Sequence, residues 1–259
     1  MIPLRVATKS SMTSTEGSAA KASQRPVLPK RFYSNAELLV EGDLFVVVLD
    51  GRFAKTPGRA RLGVSNRVVG EALAAEWEAQ AEVIDPATMP LTRIINSSID
   101  GVSQRMDEAR SDIAAYAGND LVCYRAEGPD GLVARQTSAW DPMLSWFFDE
   151  FGVRLQVGTG VLPLTQPAEA PGRILDMLRP FDALPLTAAH VVTTLTGSAV
   201  LALAVAFGRL SPEAVWSAAH VDEDWQVDQW GAVAEAKVQR ESRWRDMGAA
   251  ALVLGTRDA

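Results

Sequence analysis

Few residues in this chain have the type and spacing that chemistry requires. The run His220-Val221-Asp222-Glu223 sets an imidazole beside two carboxylates, the kind of group a divalent metal uses. Neighbours on a helix point about 100° apart, so Asp222 and Glu223 would not both meet one ion with His220. His220 therefore reads as a histidine on a helix surface, and no metal is expected. The single cysteine, Cys123, lies in the apolar run Leu121-Val122-Cys123-Tyr124 with Arg125 as its one basic neighbour. It reads as a buried structural thiol rather than a nucleophile. One cysteine also excludes an internal disulfide framework and a multi-cysteine zinc site. Ser18-Ala19-Ala20-Lys21 matches S-x-x-K without its supporting motifs. There is no phosphate loop, no G-x-S-x-G elbow and no H-E-x-x-H, and Gly158-Thr159-Gly160 lacks the third glycine of a dinucleotide fingerprint. No catalytic residue and no cofactor is assigned.

One stretch does stand out. Residues 211–230 hold Glu213, Asp222, Glu223, Asp224 and Asp228 without a single Lys or Arg. Trp216, Trp225 and Trp230 share that stretch, and Trp244 follows. A solvated acidic face with its indoles in the core would account for the charge. A docking surface would account for the charge and the aromatics together, because Trp supplies rigid contact area and carboxylates steer a partner bearing Lys or Arg. Surplus negative charge with no compensating base costs the monomer self-repulsion that such a partner relieves.

The elements that must position this stretch follow from composition and period. The chain has 259 residues, a formal charge of −7, 47% apolar and 22% charged residues, which is ordinary for a globular protein. The charge is uneven. Arg5, Lys9, Lys21, Arg25, Lys30 and Arg31 stand against Glu16 alone, so residues 1–31 carry +5 and the remainder −12. This acidic body is ill-suited to nucleic acid or an anionic membrane. Residues 1–30 read as a disordered or weakly ordered basic tail, with a mitochondrial transit segment as the alternative and no secretory signal. Residues 183–208 lack Asp, Glu, Lys and Arg, but Pro185, His190 and four threonines interrupt them, so a buried helix is expected rather than a membrane span.

Residues 37–64 read as a small antiparallel meander with a type I′ turn at Asp50-Gly51. Helices follow. Asn66 caps one running to about Ala81 with Val69, Leu73 and Trp77 on one face, the next spans Leu91 to about Val102, and a third runs to about Tyr116. Asp141-Pro142 is expected to open a helix that ends at Gly152, Ser211-Pro212 a long one towards Trp230, and residues 233–254 form the last. The fold class expected is α+β: a β-rich N-terminal domain over residues 31–95 and a larger helical domain over 96–259.

Several blocks in order resemble the assembly chaperones of the F-type ATP synthase that act on the alpha subunit of its catalytic head (the assembly factor two type). They are Lys30-Arg31-Phe32-Tyr33, Leu49-Asp50-Gly51-Arg52, Lys55-Thr56-Pro57, Glu76-Trp77 with Gln80, and Met89-Pro90-Leu91-Thr92-Arg93 with Asn96 and Ile99-Asp100. Further along stand Asp120-Leu121, Tyr124-Arg125, Gln136, Trp140-Asp141-Pro142, Thr196-Gly197-Ser198, Asp222-Glu223-Asp224-Trp225-Gln226 and Trp230-Gly231. The resemblance spans roughly residues 30–254 and implies a β-rich domain followed by a helical one, and a chaperone rather than an enzyme. It implies a protein client, the free alpha subunit, shielded until beta replaces the chaperone, with no nucleic acid and no membrane span. A monomer in the bacterial cytoplasm is expected, the mitochondrial matrix being the alternative.

The resemblance places a functional acidic position on Asp222, with Glu223, Asp224, Trp225, Gln226 and Trp230 as the partner-binding set. The segment Ala232-Val233-Ala234-Glu235 departs from the His-Asp pair some relatives carry there. The rival reading is a small carboxylate-dependent hydrolase or isomerase working between the two domains, with Tyr116, Asp120, Tyr124 and Arg125 in the cleft.

Overall fold

The computed structural model describes residues 27–256. The basic tail and its S-x-x-K lie almost wholly outside them. Four strands open the chain: β1 (Ala36–Glu41), β2 (Leu44–Leu49), β3 (Arg52–Phe53) and β4 (Gly63–Val64). β1 pairs antiparallel along one edge of β2, while β3 and β4 share its other edge. Alternation fails in β2, where Val46 to Leu49 are all buried, and helix α1 (Arg67–Glu78) packs on the sheet. The expected turn is present, with φ of 46° at Asp50 and 78° at Gly51. The Asp50 carboxylate also accepts from the backbone N–H of Ser34 and Asn35. Arg31 fastens the entering chain to the end of α1, donating to the carbonyls of Tyr33, Ser34 and Glu78.

The helical part comprises α2 (Pro90–Asp100), α3 (Met106–Ala115), α4 (Asp130–Phe151), α5 (Ala170–Leu178), α6 (Ala183–Thr196), α7 (Ala199–Ala206), α8 (Pro212–Ala219), α9 (Val221–Trp230) and α10 (Ala234–Gly255). Two two-residue strands, β5 (Tyr124–Arg125) and β6 (Gly158–Thr159), pair in parallel beside them. The class is α+β and mostly helical, as expected. Asn66 does cap α1, accepting from the N–H of Val68 and Val69.

Three expectations change. Asp141-Pro142 opens no helix: α4 starts at Asp130, and Pro142 sits inside it, at the loss of one helical N–H donor. The uncharged segment is two helices, α6 and α7, parted at Gly197. The long helix from Pro212 to Trp230 is also two, because His220 leaves helical geometry (φ −115°, ψ 23°).

Helix α7 is the centre of the molecule. All eight of its residues are buried, and α4, α6, α8 and α10 surround it. Its first-turn N–H groups therefore have no water to bond. Ser198 accepts from the N–H of Leu201 at 3.0 Å. The fully buried carboxylate of Asp120 accepts from Val200 at 3.1 Å and also from Val122 at 3.2 Å. The donors around Asp120 favour its charged form, yet burial outweighs them and lifts its pKa from 3.8 to about 6.

An acid raised on folding binds its proton more tightly in the folded chain, so it withdraws stability as pH rises between its unfolded and folded values. Urea unfolding should therefore show the wild type losing stability relative to Asp120→Asn as pH is raised from about 4 to about 6. At neutral pH the variant should still be the weaker, by roughly 1–3 kcal/mol, because it orphans a buried N–H. A wild-type-minus-variant difference that is flat with pH would contradict the raised pKa.

Candidate docking site

Acidic helix α9 projects between α4 and α10, each of which turns basic side chains towards it. Three acids stand in its first turn, where the helix dipole favours negative charge. On the side facing α4, Asp222 accepts from the Gln136 side-chain amide at 2.6 Å and Asp228 pairs with Arg135 at 2.6 Å. On the side facing α10, Asp224 pairs with Arg240 at 2.5 Å and Glu223 stands 4.0 Å from Arg243. The acidic run is thus partly compensated, contrary to what its own sequence suggested, because the bases come from outside it: Arg135 from α4 and Arg240 from α10, the helix that follows. Trp225 is half-buried, covered by the Arg135 guanidinium 4.8 Å from its ring and lying on Gly131 of α4. A Cβ at that glycine would fall 2.6 Å from the indole, so the close approach of α9 to α4 requires the bare backbone there.

His220 is not on the surface. It is 2% exposed, its ring lies 3.9 Å from that of Trp216, and its Nδ1 is 2.8 Å from the Trp216 carbonyl oxygen. That oxygen can only accept, so Nδ1 carries the proton and donates. Burial holds the His220 pKa below its ordinary value, which favours the neutral ring, while nearby Glu223 pulls the other way.

The second face of α9 is open. With α10 it forms a groove of ≈ 590 Å³ containing Asp222, Glu223, Gln226, Val227 and Trp230. Trp230 is 86% exposed, Val227 42% and Val233 61%. Lys237, Arg240 and Arg243 close the opposite wall. Gly231 makes the bend between the helices with φ 84° and ψ 164°, a region essentially reserved for glycine. Trp230 is held at the tip of that bend.

Of the six residues assigned from the sequence, Asp222, Glu223, Gln226 and Trp230 share this groove. Trp225 turns to α4 and Asp224 is taken up by Arg240 of α10, and what they hold is α9 itself. Val227, Val233, Lys237, Arg240 and Arg243 belong to the groove and were missed. Helical spacing from Asp222 and Glu223 would have found Val227, whereas nothing local marks the α10 wall.

The residues of the rival enzyme cleft do not form one. Asp120 is sealed and committed to the start of α7, and Arg125 is buried, donating to the Val122 carbonyl and to Asp141. Cys123 is buried, and desolvation pushes its thiol up to about 12, well away from a nucleophile.

Known proteins share this fold. The crystal structure of Atp12 from Paracoccus denitrificans matches at TM-score 0.79 with 34% identity, covering 88% of this chain and 98% of that one. The chain belongs to the ATP12 chaperone family. This is the family of ATP synthase assembly chaperones that its sequence blocks resemble. A family model of the ATP12 chaperone protein matches residues 30–148. A chaperone candidate from Agrobacterium tumefaciens matches at TM-score 0.83 and 42% identity over 88% of this chain and 86% of that one. Mitochondrial atp12 of Schizosaccharomyces pombe is 21% identical over 220 residues, 80% of this chain and 75% of that protein. The ATP12 family match places this chain among ATP synthase assembly chaperones, and no helix among the described residues is long and apolar enough to cross a membrane.

Two substitutions separate scaffold from surface. Gly131→Ala should displace Trp225 and lower stability by about 1–3 kcal/mol in denaturant titration. Trp230→Ala, at an exposed tip, should stay within about 0.5 kcal/mol of wild type in the same measurement.

Proposed function

We propose that the chain holds the free alpha subunit of ATP synthase through the α9–α10 groove and shields its assembly surface until the beta subunit takes its place. The observation that carries this reading is an exposed indole at the end of a groove entered past two carboxylates. An apolar side chain of the client would lie against Trp230, Val227 and Val233. A basic side chain would meet Asp222, whose Oδ1 takes the Gln136 amide while Oδ2 has no partner among the described residues. Glu223 stands beside it, 57% exposed along its side chain and only loosely opposed by Arg243.

The groove is modest in size and charged at its rim, which suits a cover that must be released. An exposed apolar surface on an unassembled subunit is an aggregation liability, and covering it needs no reaction. On this reading the protein is not an enzyme, works as a monomer, and acts in the bacterial cytoplasm or the mitochondrial matrix. The relatives support either compartment, since one is named mitochondrial and another comes from a bacterium. A variant of the Paracoccus protein with lysine in place of an aspartate matches this fold equally well at TM-score 0.79. Charge reversal of an aspartate is therefore compatible with the architecture.

Asp222→Lys should fold with near-normal stability but lose capture of a co-expressed alpha subunit, read as soluble alpha after lysis. Retention of full capture would falsify the assignment of Asp222. Capture by the wild type should also weaken between 50 and 500 mM salt in surface-binding measurements (roughly these values), because exposed carboxylates act over a Debye length of ~8–10 Å.

A further inference from the structure

A second concavity lies across α10 from the docking groove. It measures ≈ 780 Å³ and is walled by α2, α3, α6 and α10, with Pro57 of the β-rich part closing one end. Its volume falls in the range that takes a compact ligand or a short peptide, roughly 300–1,000 Å³.

Most charges around it are already committed. Arg93 pairs with Asp246, and Arg105 stands 3.7 Å from Glu108. Asp100 accepts from the Thr56 hydroxyl at 2.6 Å and from the Gly58 N–H at 2.7 Å. Four polar side chains are not committed: Asn96, Ser97, Asp112 and His190 have no hydrogen-bond or ion-pair partner among the described residues. For Asn96 this costs the fold something, since its Oδ1 is shut off from solvent and unpaired. Ile94, Val102, Val191 and Leu195 supply apolar wall between them.

We propose that this cleft takes an extended segment of the client polypeptide bearing a Lys or Arg side chain. This rests on the chaperone reading above and extends it to a second contact. Asn96 Nδ2 has no hydrogen-bond partner among the described residues and can donate to a carbonyl of an extended chain, while its Oδ1 stays sealed. Among the described residues the one uncommitted formal charge in the cleft is that of Asp112, which sits on an exposed turn of α3 and complements a basic side chain. Continuity argues for the client over a free small molecule. Arg243 lines the docking groove and Asp246 the cleft, less than one turn further along α10. Arg243 also donates to the carbonyl of Leu195, itself in the cleft wall, at 2.6 Å. One chain bound in the groove can therefore run on into the cleft without leaving the surface.

The test places a photo-crosslinking benzoylphenylalanine at Ser97, which is exposed and has no partner to lose, in full-length chain co-expressed with tagged alpha subunit. Irradiation of the purified complex should yield one dominant crosslink, to an alpha peptide containing Lys or Arg. Asp112→Lys, with Asp222 intact, should weaken the complex about fivefold. A crosslink to this chain's own residues 1–26 would overturn the proposal, showing the cleft filled by the tail. An intact complex with no crosslink from Ser97 would overturn it as well, while leaving the α9–α10 groove standing. Failure of the unlabelled wild type to capture alpha would remove both readings at once.

Discussion

A helix with no polar face can sit at the centre of a protein only if something else answers its first N–H groups. Here that something is Asp120, brought in from a chain segment eighty residues earlier in sequence than Val200, the residue it holds. Its carboxylate ties the start of α7 to the turn at Val122, while the Leu121 N–H bonds the Gly197 carbonyl from the other direction. With α7 so fixed, α10 packs along α6 and α7, α8 packs on α7, and α9 leaves the core at the buried His220. The direction in which α9 projects is set from inside.

The same device recurs across the fold. Glu76 on α1 accepts from the N–H of Leu91 and Thr92, which start α2, and burial raises its pKa against those bonds. Asp100 takes the N–H of Gly58, and Gln136 takes that of Ala126. The accepting residues, Glu76, Asp100, Asp120 and Gln136, all stand in the blocks by which the sequence resembles its family. What these four acceptors share is a polar side chain reaching the backbone of a different segment. Such ties cost little where a donor and acceptor are both satisfied, and much where one is removed.

That explains how far the sequence could be read. The meander, the Asp50-Gly51 turn and the Asn66 cap depend on neighbours in the chain, so their residues announce them. The helix break at His220 depends on burial against Trp216, and the position of Pro142 inside α4 depends on a helix already begun at Asp130; neither has a local sign. The acidic run showed its own charges but could not show Arg135 and Arg240, which approach from helices before and after it. Asp222, Glu223, Gln226 and Trp230 were legible as a set, whereas the different sides to which Asp224 and Trp225 turn were settled only by packing.

Arg135 lies half-exposed at the junction of α4 and α9, stacked on Trp225 and paired with Asp228. It touches nothing in the groove. Together with Gly131 it nonetheless determines the angle at which α9 stands away from the body. Loss-of-function alleles collected without a structure would consequently gather on the outer face of α4 and pass for a second binding surface. They would be suppressed by changes on α9 that restore the fit between the two helices, and not by changes in the client.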